Sequence, residues 1–386
     1  MQAEKGSVMT GRIPICFPFL AQVHQAFHSL PIAMELARRY PELDVHVASG
    51  TADHLDWLKG LAETFYPGVP VRFDLLRLPG VLRRFVPRVD QGVAPKLPLL
   101  LWNLGYFSRF EAVVTPERTT LALKRFLKRP RIIWTRHGAG DRASGFQREI
   151  AKFDFVLMAG NKIEQRLLAE GLVRPGRYAT GVYAKFDLVR RMPRRRLFDN
   201  DRPTIVYNPH FWPSLSSWPV MGRRVLDLVA ASDRYNLVFA PHIRLFYPPT
   251  AARYREFEVY RGLSHMRIDL GSPASADMTY TANADLYLGD VSSQVAEFVA
   301  EPRPCVFLNA HGVDWRGDPD YRFWMLGPVV EDVAMLEETV ERAFATHDFY
   351  RARQQAYVRE TFGACERLTA PIGADAIAHF LHEAVA

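Results

Sequence analysis

Histidines stand at the ends of several apolar, strand-like runs. His137 opens the turn His137-Gly138-Ala139-Gly140-Asp141-Arg142 after the run ending at Thr135. His210 follows Asn208-Pro209, and His242 sits in Phe239-Ala240-Pro241-His242-Ile243-Arg244. An imidazole exchanges its proton near neutral pH, so each could act as an acid, a base or a hydrogen-bond donor. A fourth run, Leu286-Tyr287-Leu288, ends in Gly289-Asp290-Val291-Ser292-Ser293, where two hydroxyls precede a helical pattern. Val291, Val295, Phe298 and Val299 fall at helical spacing and predict a helix over 291–300. The free N–H groups of such a helix start, with Ser292 and Ser293, suit a phosphate or diphosphate.

The same residue types argue against other chemistries. No pair of histidines and no carboxylate cluster has metal-ligand spacing, so no metal site and no cofactor is expected. A phosphate-binding P-loop, a dinucleotide glycine fingerprint and a G-x-S-x-G elbow are all missing from the sequence. What remains is a set of imidazoles and guanidinium groups, Arg142 and Arg244 among them, around a serine-headed helix. That describes a diphosphate site. Glu297, further along the helix, reads either as a contact to donor hydroxyls or as a solvated glutamate. His24 and His28 lie between the first strand and first helix and could face an acceptor, capping and core roles being the alternatives.

Strand-like and helix-like segments alternate along most of the chain. Strands are expected at 12–17, 44–49, 71–76, 112–115, 131–135 and 153–158, with helices at 28–40, 51–65, 117–128 and 161–171. The rhythm breaks over 182–202, which is rich in Arg, Pro and Asp and reads as a linker. It restarts with strands at 204–207, 237–240, 285–288 and 305–308 and helices at 220–231 and 291–300. Such alternation predicts an α/β fold with two doubly wound, Rossmann-like domains facing a cleft. The expected division is 1–190, 200–365 and a C-terminal helix within 366–386, amphipathic through Ile377, Phe380, Leu381 and Val385. In such sheets ligands bind at the carboxyl edge, which is where the histidines fall.

The chain has 386 residues, 48% hydrophobic and 24% charged, with 49 basic and 42 acidic residues for a net charge of +7. No apolar run reaches the ~18 residues of a membrane-spanning helix, and the first residues lack the features of a secretory signal. Cys16, Cys305 and Cys365 read as reduced core residues of a cytoplasmic protein. Positive charge would suit nucleic acid, an anionic membrane surface or an anionic small substrate. No nucleic-acid motif accompanies it, so nucleic acid is not an expected partner. Between 80 and 110, Arg83, Arg84, Arg88, Lys96 and Arg109 alternate with Phe85, Leu99, Leu100, Leu101, Trp102, Tyr106 and Phe107. That mixture fits peripheral contact with the inner face of the cell membrane. The competing reading is a helix pair folded onto the domain's own sheet.

Several of these motifs occur in a familiar order: His137-Gly138 after a strand, then Thr180-Gly181-Val182-Tyr183-Ala184-Lys185-Phe186-Asp187, then Pro241-His242, then Asp290-Val291-Ser292-Ser293. Over roughly 130–330 the chain resembles the CDP-glycerol glycerophosphotransferase family. The resemblance implies the two-Rossmann glycosyltransferase B (GT-B) fold and transfer of glycerol phosphate from CDP-glycerol to a polyol hydroxyl. It implies that His137 is the catalytic base and that His242 assists the departing nucleotide. Ser292 and Ser293 would hold donor phosphates, with Asp290 positioning their loop. Departures from the family pattern are Val291 for a tyrosine, Pro209-His210-Phe211-Trp212 for a T-W-R, and Ala240-Pro241-His242-Ile243 for an R-x-H-P. The expected partners are a nucleotide-diphosphate donor, either CDP-glycerol or a nucleotide sugar, and a hydroxyl acceptor that could be lipid-linked, in cell-envelope synthesis. The alternatives are a glycosyltransferase using a UDP- or CDP-sugar, a nucleotide-sugar epimerase, and a non-catalytic nucleotide-binding scaffold.

Overall fold

The computed structural model describes residues 12–20, 23–80, 95–140, 146–364 and 366–383. Its first half is a seven-stranded sheet in the order β3-β2-β1-β4-β5-β6-β7. The strands are β1 (Ile13–Phe19), β2 (Leu43–Ser49), β3 (Arg72–Leu75), β4 (Ala112–Thr115), β5 (Arg131–Thr135), β6 (Phe155–Leu157) and β7 (Tyr178–Ala179). The second half is a six-stranded sheet in the order β10-β9-β8-β11-β12-β13. It is built from β8 (Thr204–Asn208), β9 (Asn236–Phe239), β10 (Met266–Ile268), β11 (Leu286–Gly289), β12 (Cys305–Leu308) and β13 (Val329–Val330). Every described ladder is parallel. Central strands such as β4, β8, β11 and β12 are buried along their whole length. Layers cover both faces, which is why these strands read as unbroken apolar runs rather than alternating ones. In each sheet the strand order reverses once, between β1 and β4 and between β8 and β11, leaving a crevice at the carboxyl edge.

The helices that matter for the site are α1 (Ala26–Arg39), α2 (Ala52–Phe65), α3 (Lys96–Trp102), α4 (Asn161–Ala169), α5 (Lys185–Val189), α6 (Arg223–Ala230), α7 (Gln294–Phe298), α8 (Leu336–Ala345), α9 (His347–Phe362) and α10 (Ala370–Glu383). The chain ends by crossing back. Ala374, Ile377, Ala378 and Leu381 of α10 join the core formed by α1 and β1, β2 and β4. Tyr357, Val358 and Phe362 of α9 share a core with Ala159, Tyr183 and Phe186 from the first half. Asp187 caps the return: its carboxylate accepts from Ala370 N at 2.6 Å and from Thr369 N at 2.8 Å.

Four expectations need correction. The helix expected over 291–300 is only Gln294–Phe298, and Ser293 precedes it without a side-chain cap bond. A helix this short aligns few peptide dipoles, so the serine turn acts through its own donors more than through a macrodipole. The segment 117–128 forms a shorter 3-10 helix, Arg118–Arg125, which buries Thr120 and Leu123. The stretch 182–202 is not a free linker. Tyr183, Phe186 and Leu188 are buried, Arg191 donates to Phe65 O at 2.7 Å, and Arg194 donates to Ala282 O at 3.0 Å. Finally, β7, β10, β13 and helices α8 and α9 were not expected; two of those strands have only two residues, too few to show a period.

Of the basic-aromatic segment, residues 95–110 are described, and they pack on the first sheet. Leu99, Leu100, Phe107 and Phe110 enter the core beside Cys16, Val113 and Ile132. Leu97, Leu101 and Trp102 remain exposed on the outer side, Trp102 to 62%. Arg83, Arg84, Phe85 and Arg88 lie outside the described residues. No helix among the described residues is long and apolar enough to cross a membrane. Cys16 and Cys305 are buried free thiols, and Cys365 lies outside the described residues.

Candidate active site

A cavity of about 320 Å³ opens where the carboxyl edges of the two sheets meet. The first half contributes His24, His28, Arg118, Arg136, His137, Gly138, Gly140 and Lys185; the second contributes His210, His242, Ser292, Ser293, Gln294 and Glu297. Both crevices predicted by the strand reversals therefore open into one space. His24 comes from the β1-to-α1 connection, His28 from the first turn of α1, and His137 follows β5 after one intervening residue. Their rings converge, with centroids 6.0 Å apart for His24 and His137 and 6.3 Å apart for His28 and His137. The two halves also touch here. A Cβ added to Gly140 would lie 3.2 Å from Ser293 Cβ, so the glycine allows the His137 turn to reach the serine turn. Gly138 has a φ of +76°, which a side chain would strain.

Hydrogen bonds fix opposite tautomers in the two halves. Pro116 O can only accept, so His137 Nδ1, 3.1 Å away, carries the proton. The neutral ring then keeps its lone pair on Nε2, which the Gln25 amide faces at 3.5 Å. In the second half the pattern is reversed. His210 Nδ1 accepts from Trp212 N at 3.0 Å and His242 Nδ1 accepts from Arg244 N at 3.2 Å. Those two rings, when neutral, carry their proton on Nε2. The cavity thus has a base from one side and N–H and O–H donors from the other.

Burial lowers the His137 pKa, and the Glu117 carboxylate opposes the shift only in part. Burial also holds His24 and His28 well below the ordinary histidine value, with His137 and Lys185 respectively adding repulsion. All three are therefore neutral at physiological pH. The Nδ1 atoms of His24 and His28 are buried without a hydrogen-bond partner.

Asp290 does not line the cavity. It works from behind, accepting from His210 N at 2.9 Å, Ser217 N at 2.6 Å, Ser217 Oγ at 2.9 Å and Val291 N at 2.7 Å. One carboxylate thereby ties the loop after β8 to the loop after β11. Burial pushes its pKa up to about 6 against those bonds. Arg244 also stands away from the lining. Its guanidinium lies 4.3 Å over the Phe211 ring and is exposed, because the loop carries it past His242 onto the outer aromatic face. Glu297 lines the cavity but is neither solvated nor open to ligand on all sides. Lys185 Nζ donates to both of its oxygens at 2.8 Å, and Tyr183 OH donates at 2.6 Å. Arg142 lies outside the described residues.

Sequence reasoning missed Gln25, Arg118, Arg136 and Lys185. Arg136 directly precedes His137 and Lys185 lies inside the Thr180-to-Asp187 motif, so both had a signal. Arg118 and Gln25 stand in 3-10 segments after β4 and β1, and neither carries a turn motif that marks it. Among the described residues, no group of three or more His, Cys, Asp or Glu side chains is arranged to hold a metal ion.

No protein-family model and no curated protein matches the sequence. Solved structures do match in fold. A wall teichoic acid polymerase, TagF, soaked with CDPG, superposes with a TM-score of 0.63 at 13% identity, covering 97% of this chain and 89% of that one. A UDP-N-acetylglucosamine 2-epimerase gives 0.61 at 13% identity, covering 97% of both chains. The epimerase from Neisseria meningitidis, bound to UDP-GlcNAc, gives 0.59 at 9% identity over 96% of this chain and all of its own. The chain has the GT-B fold of these enzymes.

Proposed function

We infer that the protein is a transferase that uses a nucleotide-diphosphate donor, with CDP-glycerol the leading candidate, and a hydroxyl acceptor. One observation carries this reading: a proton-accepting imidazole nitrogen from one sheet and a set of N–H and O–H donors from the other line a single cavity. His137 Nε2 takes the proton from the acceptor hydroxyl. The oxygen attacks the donor phosphorus that bears glycerol, the bridging P–O bond breaks, and CMP leaves. Charge gathering on the departing phosphate is met by His242, His210, Ser292 and Ser293. His24 and His28 lie on the side from which the acceptor enters, and Asp290 holds the donor loops in place.

A nucleotide sugar is the second reading, favoured by the equally close fold likeness to the UDP-N-acetylglucosamine epimerases. In that case the acceptor oxygen attacks the anomeric carbon and a nucleoside diphosphate leaves. A non-catalytic scaffold would bind nucleotide without turnover. The acceptor could be presented at the membrane, since Leu97, Leu101 and Trp102 form an exposed apolar strip on α3.

Incubation with CDP-glycerol and with UDP- and CDP-sugars, followed by mass analysis of released nucleotide, tests the assignment. CMP should be released from CDP-glycerol, and His137→Ala should reduce that release by about 10²- to 10⁴-fold while nucleotide binding persists. Release of UDP or CDP from a sugar donor alone would select the second reading. Undiminished turnover in His137→Ala would remove His137 as the base.

A further inference from the structure

Lys185 and Glu297 form an ion pair that is almost completely buried, with 5% and 6% exposure, at the seam between the two halves. Lys185 begins α5 of the first half and Glu297 belongs to α7 of the second. Both line the cavity, together with His24, His28, His137, Ser292 and Ser293. The pair is doubly bonded, and Tyr183 OH adds a third bond to the same carboxylate. Tyr183 in turn meets His28 edge-on, with centroids 4.9 Å apart. A continuous contact thus runs from His28 through Tyr183 to Glu297, and the ion pair crosses the seam beside it.

Buried ion pairs are weak devices for stability, because desolvation offsets most of the attraction. Apolar replacements of similar volume are often neutral or better. Cohesion at this seam already has another source, the core in which Tyr183, Phe186, Val295, Phe298 and Phe362 pack together. Apolar packing tolerates sliding; a doubly bonded charge pair does not. We propose that Lys185 and Glu297 are positioning residues that fix the register of the two halves, so that the His137 turn faces the Ser292-Ser293 turn at reacting distance. Its turnover consequence rests on the transferase reading; the register itself does not.

The test uses the full-length protein with two reporters. Gly140→Cys and Ser293→Cys place thiols where the halves touch, and the rate of disulfide closure under mild oxidation reports register without any substrate. The seam is then altered by Lys185→Met with Glu297→Leu together, or by the exchange Lys185→Glu with Glu297→Lys. The apolar pair should melt at or above the parent's temperature, yet close the disulfide about tenfold more slowly, since the reactive register becomes a minority population. In the protein without the cysteines, the apolar pair should lower kcat by a similar factor and leave KM for the donor nearly unchanged. The exchanged pair should recover most of both losses. Closure and kcat at parental values in the apolar variant would overturn the proposal, as would failure of the parental cysteine pair to close. If no donor is turned over even by the parent, the transferase reading fails while disulfide closure still decides the positioning role.

Discussion

At the scale of single residues, the state of His137 decides what the cavity can do. Its Nδ1 proton is committed to Pro116 O, and burial keeps the ring neutral. A base with a lowered pKa stays competent at pH values where an ordinary histidine is protonated. The acid limb of kcat/KM should therefore lie below 6.5, the ordinary histidine value. Replacing Glu117, whose carboxylate opposes the effect of burial, by Gln should move that limb to still lower pH. A limb above 6.5, or one that ignores Glu117→Gln, would contradict the assignment. Asp290 makes a second prediction. Four donors point at its carboxylate, so Asp290→Asn leaves at least one N–H facing another N–H. Stability should fall by about 1–3 kcal/mol, measured by denaturant unfolding. The histidines, Ser292 and Ser293 were legible because strand ends and turns mark them. Arg244 stands outside the cavity lining with its guanidinium over the Phe211 ring, a contact that the sequence does not show.

At the scale of elements, the long parallel strands declared themselves, since burial on both faces writes an apolar run into the sequence. Short edge strands and α9 did not, because α9 mixes buried Tyr357, Val358 and Phe362 with charged residues on every side. Yet α9 packs against the first half, sharing a core with Ala159, Tyr183 and Phe186. Gly160, just before α4, approaches the end of α9 so closely that an added Cβ would lie 2.5 Å from Thr361 O. Its φ is −175°, extended backbone open to any residue, so the constraint there is space alone. Gly160→Ala should cost about 1–3 kcal/mol through forced separation of backbone. Lys162, which donates to Ala139 O at 3.2 Å and to Tyr357 OH at 3.3 Å, ties the same helix to the His137 turn. The exposed strip of α3 carries its own forecast: the protein should float with anionic liposomes at low salt, less so after Trp102→Ser. Absence of binding to such vesicles would confine the acceptor to solution.

At the scale of the whole molecule, two sheets and a returning C-terminal helix make one crevice out of two. The alternation of strands and helices foretold both sheets, whereas the return of α9 and α10 had no sequence signal, because an amphipathic helix does not name the surface it covers. Buried histidines, three of them in the crevice, set the pH response of folding. His24, His28 and His137 have pKa values lowered by burial, and burial lowers His54 to about 4. Each favours the folded state while neutral, so stability is full above 6.5 and falls as pH drops toward their folded values. Asp290, raised from 3.8 to about 6, acts in the opposite direction across that interval. Asp187, raised by burial, and His46, raised against burial by its Asp74 and Asp44 partners, act with Asp290. The four lowered histidines outweigh these three groups, and the melting temperature should decline from pH 7 to pH 5.

The central claim is that the seam holds a nucleoside diphosphate between imidazole and hydroxyl donors. Calorimetric titration of CDP, UDP and CMP into the parent, His242→Ala and Ser292→Ala proteins addresses it directly. A diphosphate should bind more tightly than CMP, and each substitution should weaken that binding by about tenfold for the loss of one charge-assisted hydrogen bond. Equal indifference to all three nucleotides, or diphosphate binding untouched by both substitutions, would contradict it.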